Sequence, residues 1–343
     1  MTNTSQTPET TQTPETTMRA VRFESFGGPS VLTVAEAPIP EAQPGRVTVD
    51  VEYAGVNFAE VMFRRGQFPV DLPHFPGLEA VGRVRAVGAG VTGFAPGDRV
   101  AALTLGGGGN AEVVEVGAEH TVRLDGELAE LDGALAAGAL CNVTTALGLL
   151  TSAGHLAEGE TVVVLAAAGG VGTAAAQLAR SLGATTVIGV TSTPAKAEYA
   201  RGFGYDSVVS YEEIEREVAE RTGGVGADLV LDSVGGAFRS SVTALLAAFG
   251  RHVIFGNAAA EDVTFEGNHP WYTNSSLVGY NLGGVAGRAP ALLRAHLERA
   301  LTEVAKGGVR VDVKTLPLKD VVHAHELLET RASTGKYVLD VRA

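Results

Sequence analysis

The sequence predicts an α/β protein in two parts: a β-rich N-terminal region, then a parallel sheet flanked by helices. Three observations carry this. Short valine-rich runs separated by glycine and proline fill residues 18 to about 125. From about Gly133, apolar strand-like runs alternate with helix-like segments, the pattern of βαβ units. The chain has 343 residues, enough for two domains with a real core.

The first seventeen residues carry QTPETT twice, at Gln6–Thr11 and Gln12–Thr17, with no hydrophobic period. They bury too little to offset ordering entropy, so residues 1–17 read as a disordered tail and the fold starts at Met18. They also lack the basic start and apolar centre of a signal peptide. Arg46–Tyr53 and Glu79–Val87 read as strands, and Gly106–Gly109 as a flexible loop before the strand Ala111–Val116. The parallel region offers the strands Thr161–Ala166, Thr186–Val190, Ser207–Ser210, Asp228–Asp232 and Arg251–Phe255. Behind them come a helix at Ala289–Ala305, a strand near Val311–Thr315, a helix at Leu318–Thr330 and a last strand, Lys336–Val341, which can return to the first part.

Composition excludes several function classes. Hydrophobic residues make up 45% and charged residues 19%, so the chain is globular. The net charge is −13 with no block of like charge, which disfavours nucleic acid and anionic membranes as partners. Cys141 is the one cysteine; it rules out an internal disulfide and a multi-thiolate zinc site, and fits a reducing, cytoplasmic setting. Gly133–Gly154 and Thr161–Ala179 carry no charge and are long enough for a membrane span. Both are broken by Gly, Thr and Asn or Gln, and are rich in Ala rather than Leu, so no membrane span is expected.

Thr161–Thr191 is the most informative stretch. TVVVLAAAGGVG reads as a buried strand ending in a small-residue turn, TAAAQLARSLG as a helix stopped at Gly183, and TTVIGVT as a second strand. Ala167, Gly169 and Gly172 fill the three small positions of a dinucleotide fingerprint. The turn Ala168, Gly169, Gly170, Val171 and Gly172 would face the pyrophosphate at a helix N-terminus. An NAD site normally has an acid about 20 residues on. No Asp or Glu occurs between Thr161 and Ala197; the second strand ends in Thr191-Ser192-Thr193, followed by Lys196. Hydroxyls and an ammonium suit a 2′-phosphate, so NADPH is the expected cofactor.

These residues, with Pro76–Val100 and FGN at Phe255–Asn257, resemble the medium-chain dehydrogenase/reductase superfamily. GVNFAEVMFRRG at Gly55–Gly66, VVSY at Val208–Tyr211 and AHELLETRASTGK at Ala324–Lys336 resemble its zinc-independent quinone oxidoreductase branch, which includes the VAT-1-like proteins. The resemblance runs from Met18 to the end. It implies a GroES-like β-barrel domain (18–141 and 283–343) plus a Rossmann doubly wound parallel sheet (142–282), with the active cleft between them and a homodimer joined through the Rossmann sheets. It also implies cofactor contacts from Tyr211, Ser233, Val234, Phe255, Gly256 and Asn257, and a pocket lined by Phe58, Phe68, Trp271 and Tyr272. Trp271 could equally plug the dimer interface.

The same resemblance speaks to metal. Where the zinc alcohol dehydrogenases carry a Cys and a His, this chain has Asn57 and Leu78; Cys141 alone matches a ligand position. One soft ligand does not hold a catalytic zinc. His323 and His325, two apart on a helix, share no face and read as structural. What remains is hydride transfer from NADPH to a quinone or an activated alkene, an enone among them, polarised by hydrogen bonds. Asn57 is a candidate donor to the substrate carbonyl or a turn cap; Thr144 is a candidate nicotinamide contact or a helix hydroxyl. Arg64 and Arg65 either attract an anion or are solvated. Relatives often carry Tyr where this chain has Phe68, and Phe has no proton to donate. A nucleotide-binding protein with little catalysis and an enoyl or enone reductase of a biosynthetic pathway are the other readings.

Overall fold

The computed structural model describes residues 16–330 and 333–343; most of the expected tail lies outside them. The first strand, β1 (Thr17–Arg22), starts one residue before Met18 and pairs antiparallel with β2 (Thr33–Pro38). β3 (Arg46–Gly55) leads into a short helix, α1 (Phe58–Arg64). β4 (Glu79–Val87), β5 (Arg99–Leu103), β6 (Val113–Gly117) and β7 (Thr121–Arg123) follow. The glycine loop between β5 and β6 is tied down: Gly108 N–H donates to Phe75 O at 2.7 Å and Gly109 N–H to Gly77 O at 3.2 Å.

The helix α2 (Gly133–Leu147) continues through one wider turn to Ala153. This is the first charge-free stretch. Among the described residues it is the helix long and apolar enough to cross a membrane, yet most of it is buried inside the protein. Leu140, Leu147, Leu149 and Leu150 are fully buried. At about 1.5–3 kcal/mol per buried leucine, this helix anchors the core that joins the two parts. The second charge-free stretch becomes β8 (Thr161–Leu165), a tight turn and α3 (Gly170–Ser181). Gly183 sits just past the helix end at φ +98°, the left-handed position glycine fills best.

Next come β9 (Thr186–Val190), α4 (Pro194–Arg201), β10 (Ser207–Val209), α5 (Ile214–Thr222), β11 (Ala227–Asp232), α6 (Phe238–Thr243) and β12 (Leu246–Ile254). β12 begins five residues earlier than Arg251, with an irregular register against β11. α7 (His269–Thr273), β13 (Ser276–Gly279), α8 (Leu282–Arg288) and α9 (Pro290–Ala305) complete this part. Its sheet is parallel, in the order β10-β9-β8-β11-β12-β13. The order in which strands are added reverses between β8 and β11, and α/β sheets bind ligands beyond the carboxyl ends at such a switch.

β14 (Val313–Pro317) starts two residues later than expected, and α10 (Val321–Glu329) is preceded by a single 3-10 turn. β15 (Lys336–Asp340) then pairs antiparallel with β3, Val338 opposite Gly55, and returns the chain to the first sheet. That sheet runs β14-β15-β3-β4-β5-β7, with β6 on β3.

Candidate active site

A cleft of about 1580 Å³ lies between the carboxyl ends of the parallel sheet and the wall formed by α1, Leu78 just before β4, and β15. Its floor on the sheet side is the turn after β8. Ala166 has φ +53°, and Gly169 caps α3 in an extended conformation. A Cβ on Gly172 would stand 2.6 Å from Ala166 O and 2.8 Å from Ala167 O, so only glycine lets the helix sit this close. A Cβ on Gly170 would stand 2.0 Å from Asn142 Nδ2. Gly169, by contrast, meets only Ala166 O, at 3.3 Å, so of the two fingerprint glycines Gly172 carries the tighter backbone constraint.

The neighbouring strand ends extend this floor. Thr193 caps α4, its Oγ1 accepting from Lys196 N–H at 3.3 Å, and Thr191, Ser192 and Lys196 face the cleft. Tyr211 packs edge-on against Phe238 with ring centres 4.7 Å apart. After β11, buried Asp232 accepts from the N–H groups of Val234 and Gly235 at 2.7 and 3.0 Å. Arg239 joins Asp232 (2.7 Å) to Gly256 O (2.5 Å), tying the loop after β11 to the loop after β12. Against burial, which raises it, the hydrogen bonds from His252 and Arg239 pull the Asp232 carboxyl down to about 2.

The opposite wall holds a second buried network. Asn57 caps α1, and Glu60 Oε1 accepts its backbone N–H at 2.9 Å. Glu60 Oε2 accepts from Asn110 Nδ2 at 2.8 Å. Asn57 Nδ2 donates to Glu79 Oε1 at 2.8 Å, and its Oδ1 accepts from Lys336 Nζ at 2.6 Å. Glu79 Oε2 accepts the Cys141 N–H at 2.6 Å. Burial raises the Glu60 carboxyl to about 7, against the pull of the Asn57 N–H, Lys336 and Asn110. Burial, then Glu79, pushes the Cys141 thiol up to about 12.

Most expected site residues meet in this one cleft: Asn57, Phe58 and Phe68 on the wall, and the turn 168–172, Thr191, Ser192, Lys196, Tyr211, Ser233, Val234 and Phe255–Asn257 on the floor. Three do not line it. Thr144 is fully buried inside α2; Thr145, one residue on and four from Cys141, takes the cleft-facing position with Cys141 and Asn142. Trp271 and Tyr272 are 73% and 66% exposed on α7, stacked on each other away from the cleft. Asn57 turns out to be both cleft residue and cap, with its amide engaged by protein partners. Arg64 is neither solvated nor at the cleft: its guanidinium is buried against Glu329, Gly27 O and His325.

Sequence reading missed Asn142, Thr145, Glu60, Glu79, Arg239 and Lys336. The helical period from Cys141 was a signal for Thr145, and the spacing Asn57-x-x-Glu60 was a capping-box signal. Glu79 and Lys336 carried none, since Lys336 meets Asn57 across 279 residues.

Comparison with known proteins matches residues 43–147 to the alcohol dehydrogenase GroES-like domain and residues 170–300 to the zinc-binding dehydrogenase family. A probable quinone oxidoreductase of Schizosaccharomyces pombe is 33% identical over 326 residues, 93% of this chain and 96% of that protein. A quinone oxidoreductase of Pseudomonas aeruginosa is 32% identical, over 94% of this chain and 99% of its own length. The structure of Escherichia coli quinone oxidoreductase complexed with NADPH superimposes with a TM-score of 0.87 at 30% identity, covering 94% of this chain and all of that one.

Proposed function

The chain belongs to the quinone oxidoreductase branch of the medium-chain dehydrogenases/reductases, and on that premise we propose that it reduces a quinone or an activated alkene with NADPH and without a metal. The observation that carries this reading is the floor of the cleft. Cβ atoms on Gly170 and Gly172 would strike Asn142 and the Ala166–Ala167 backbone, so these glycines let the α3 N-terminus sit close against the end of β8, and the strand beside it is followed by Thr191-Ser192 and, on α4, Lys196 rather than by an acid. The first α3 turn offers free N–H donors to phosphates, and Lys196 offers the charge a 2′-phosphate needs. Bound there, NADPH supplies the hydride. The protein's part is to fix the acceptor against Asn57, Phe58 and Phe68, to exclude water, and to offer donors to the acceptor oxygen.

The donor set does not fit zinc, which the matched family's description implies. Asn57 presents an amide already bound to Lys336 and Glu79, Leu78 is apolar, and Cys141 keeps its proton. Among the described residues no group of three or more His, Cys, Asp and Glu side chains could hold a metal.

We also assign a homodimer and a cytoplasmic location to this reading. β13 is the edge of the parallel sheet, with Phe249, Trp271 and Tyr272 exposed near it. An open edge flanked by exposed aromatics suits strand-to-strand pairing with a second copy. Light scattering of the wild type and Trp271→Ala tests this: a dimer weakened by the substitution supports it.

Titration with NADPH and NADH, followed by bound-nucleotide fluorescence and then by addition of a quinone and an enone, tests the activity. NADPH-selective binding with oxidation by either acceptor is the expected result. Tight binding without oxidation favours the second reading, a nucleotide-binding protein with little catalysis, which Phe68 supports because that position on the cleft wall has no proton to donate.

A further inference from the structure

The wall of the cleft contains a buried cation that the reading above does not use. Lys336 is 3% exposed, yet it lines the cleft. It follows Gly335, whose N–H donates to Ala168 O at 3.2 Å. Lys336 therefore stands where the β8 turn meets the wall, at the junction of the two halves. Its Nζ is 2.5 Å from Glu79 Oε1 and 2.6 Å from Asn57 Oδ1.

Counting donors decides what this group can do. An ammonium has three N–H donors, and these two acceptors take two of them. Asn57 has none to spare. Its Nδ2 donates to Glu79 Oε1 at 2.8 Å, and its remaining hydrogen faces Gly55 O and Glu60 Oε1 at 3.4 and 3.5 Å. Phe68 has no polar hydrogen at all. One N–H of Lys336 remains for a ligand. Its charge is oriented before any ligand arrives, because Glu79 is itself held by the Cys141 N–H at 2.6 Å.

We propose that Lys336 is the electrophile of the cleft, donating its third N–H to the acceptor's carbonyl oxygen and protonating it. The proposal rests on the reductase reading. As hydride reaches the acceptor, negative charge develops on the carbonyl oxygen. One N–H bond of Lys336 breaks and one O–H bond forms; the neutral amine recovers its proton from solvent. One hydride and one proton together make the two-electron, two-proton reduction of a quinone to a hydroquinone, or of an enone to an enol.

The test uses 4-nitrophenol, whose phenolate absorbs in the visible and carries charge on oxygen as the reduced acceptor does. It is added to the protein saturated with NADP+, below the phenol's own pKa. The wild type is expected to bind it as the phenolate. Lys336→Met should lose the phenolate band and bind the phenolate roughly tenfold or more weakly, the scale of a charge-assisted hydrogen bond. Lys336→Arg should keep the band. Because Lys336→Met leaves Glu79 without its cation, the double variant Lys336→Met/Glu79→Gln is measured beside it. Nucleotide fluorescence reports folding in each, and quinone kcat should fall with KM little changed. A folded, nucleotide-binding variant lacking Lys336 that keeps the band or the wild-type kcat overturns the proposal. So does a wild type that shows no band. Failure of the wild type to oxidise NADPH with any acceptor sinks the reductase reading instead, and does so independently of the phenolate result.

Discussion

Two buried ionic clusters stand on opposite sides of the cleft. The one on the sheet side is closed. Asp232 takes two backbone N–H groups, Arg239 and His252, and His252 passes on to Thr243 at 2.9 Å. The one on the wall is open. Asn110 Oδ1 is buried with no partner, Glu60 holds its proton up to about 7, and the Lys336 ammonium, with three donors, meets two acceptors, Glu79 Oε1 and Asn57 Oδ1. A satisfied cluster makes a rigid support, here for the loops after β11 and β12. The wall cluster reaches the cleft through Asn57 and Lys336, so a donor it leaves unspent there is within reach of a ligand.

The largest expected effect breaks the closed cluster. Asp232→Ala leaves Arg239 and His252 buried without their anion and should cost about 3–5 kcal/mol in urea unfolding. A loss under about 1 kcal/mol would show that the cluster does not support the fold. Lys196→Ala acts on the same side but outside the cluster. It should weaken NADPH binding about ten- to a hundredfold, the worth of a hydrogen bond to a charged group, with NADH binding and stability unchanged. Equal losses for both nucleotides would remove Lys196 from the 2′-phosphate.

The clusters should also respond to pH with opposite signs. The folded protein holds the Glu60 proton to about 7, whereas the unfolded chain releases it near 4.5. The folded state therefore binds more protons in that window, and stability falls as pH rises through it. Asp232, at about 2 folded against 3.8, contributes stability that is lost as pH falls through that lower range. Glu60→Gln should flatten the melting temperature between pH 5 and pH 7 while leaving the acid limb intact; an unchanged slope would assign it to another group. The smallest effect concerns Phe68, whose ring meets Phe63 edge-on at 5.7 Å and is partly exposed. Phe68→Tyr should change stability by less than about 0.5 kcal/mol. It should raise enone turnover relative to quinone turnover, since the enol formed from an enone must still take a proton at carbon, whereas the hydroquinone is already complete. Equal changes for both acceptors would sink that distinction.

The sequence by itself determined the parallel sheet, the turn after β8 and the absence of an acid at the end of β9. Each of these is local: a strand, a tight turn and a helix follow one another in a single stretch, and spacing alone shows them. The barrel-side strands Arg46–Tyr53 and Glu79–Val87 were legible for the same reason, from valine runs bounded by glycine and proline. Tertiary structure decided the rest. Helix phase chose Thr145 over Thr144, one residue being a rotation of about 100° about the axis. Packing of α1 on α10 buried Arg64 against Glu329, and placement of α7 outside the cleft left Trp271 and Tyr272 in solvent. Lys336, Asn57 and Glu79 meet because β15 returns to β3 at the end of the chain. No periodicity records that meeting, since the contact joins residues 279 positions apart and exists only once β15 has paired with β3.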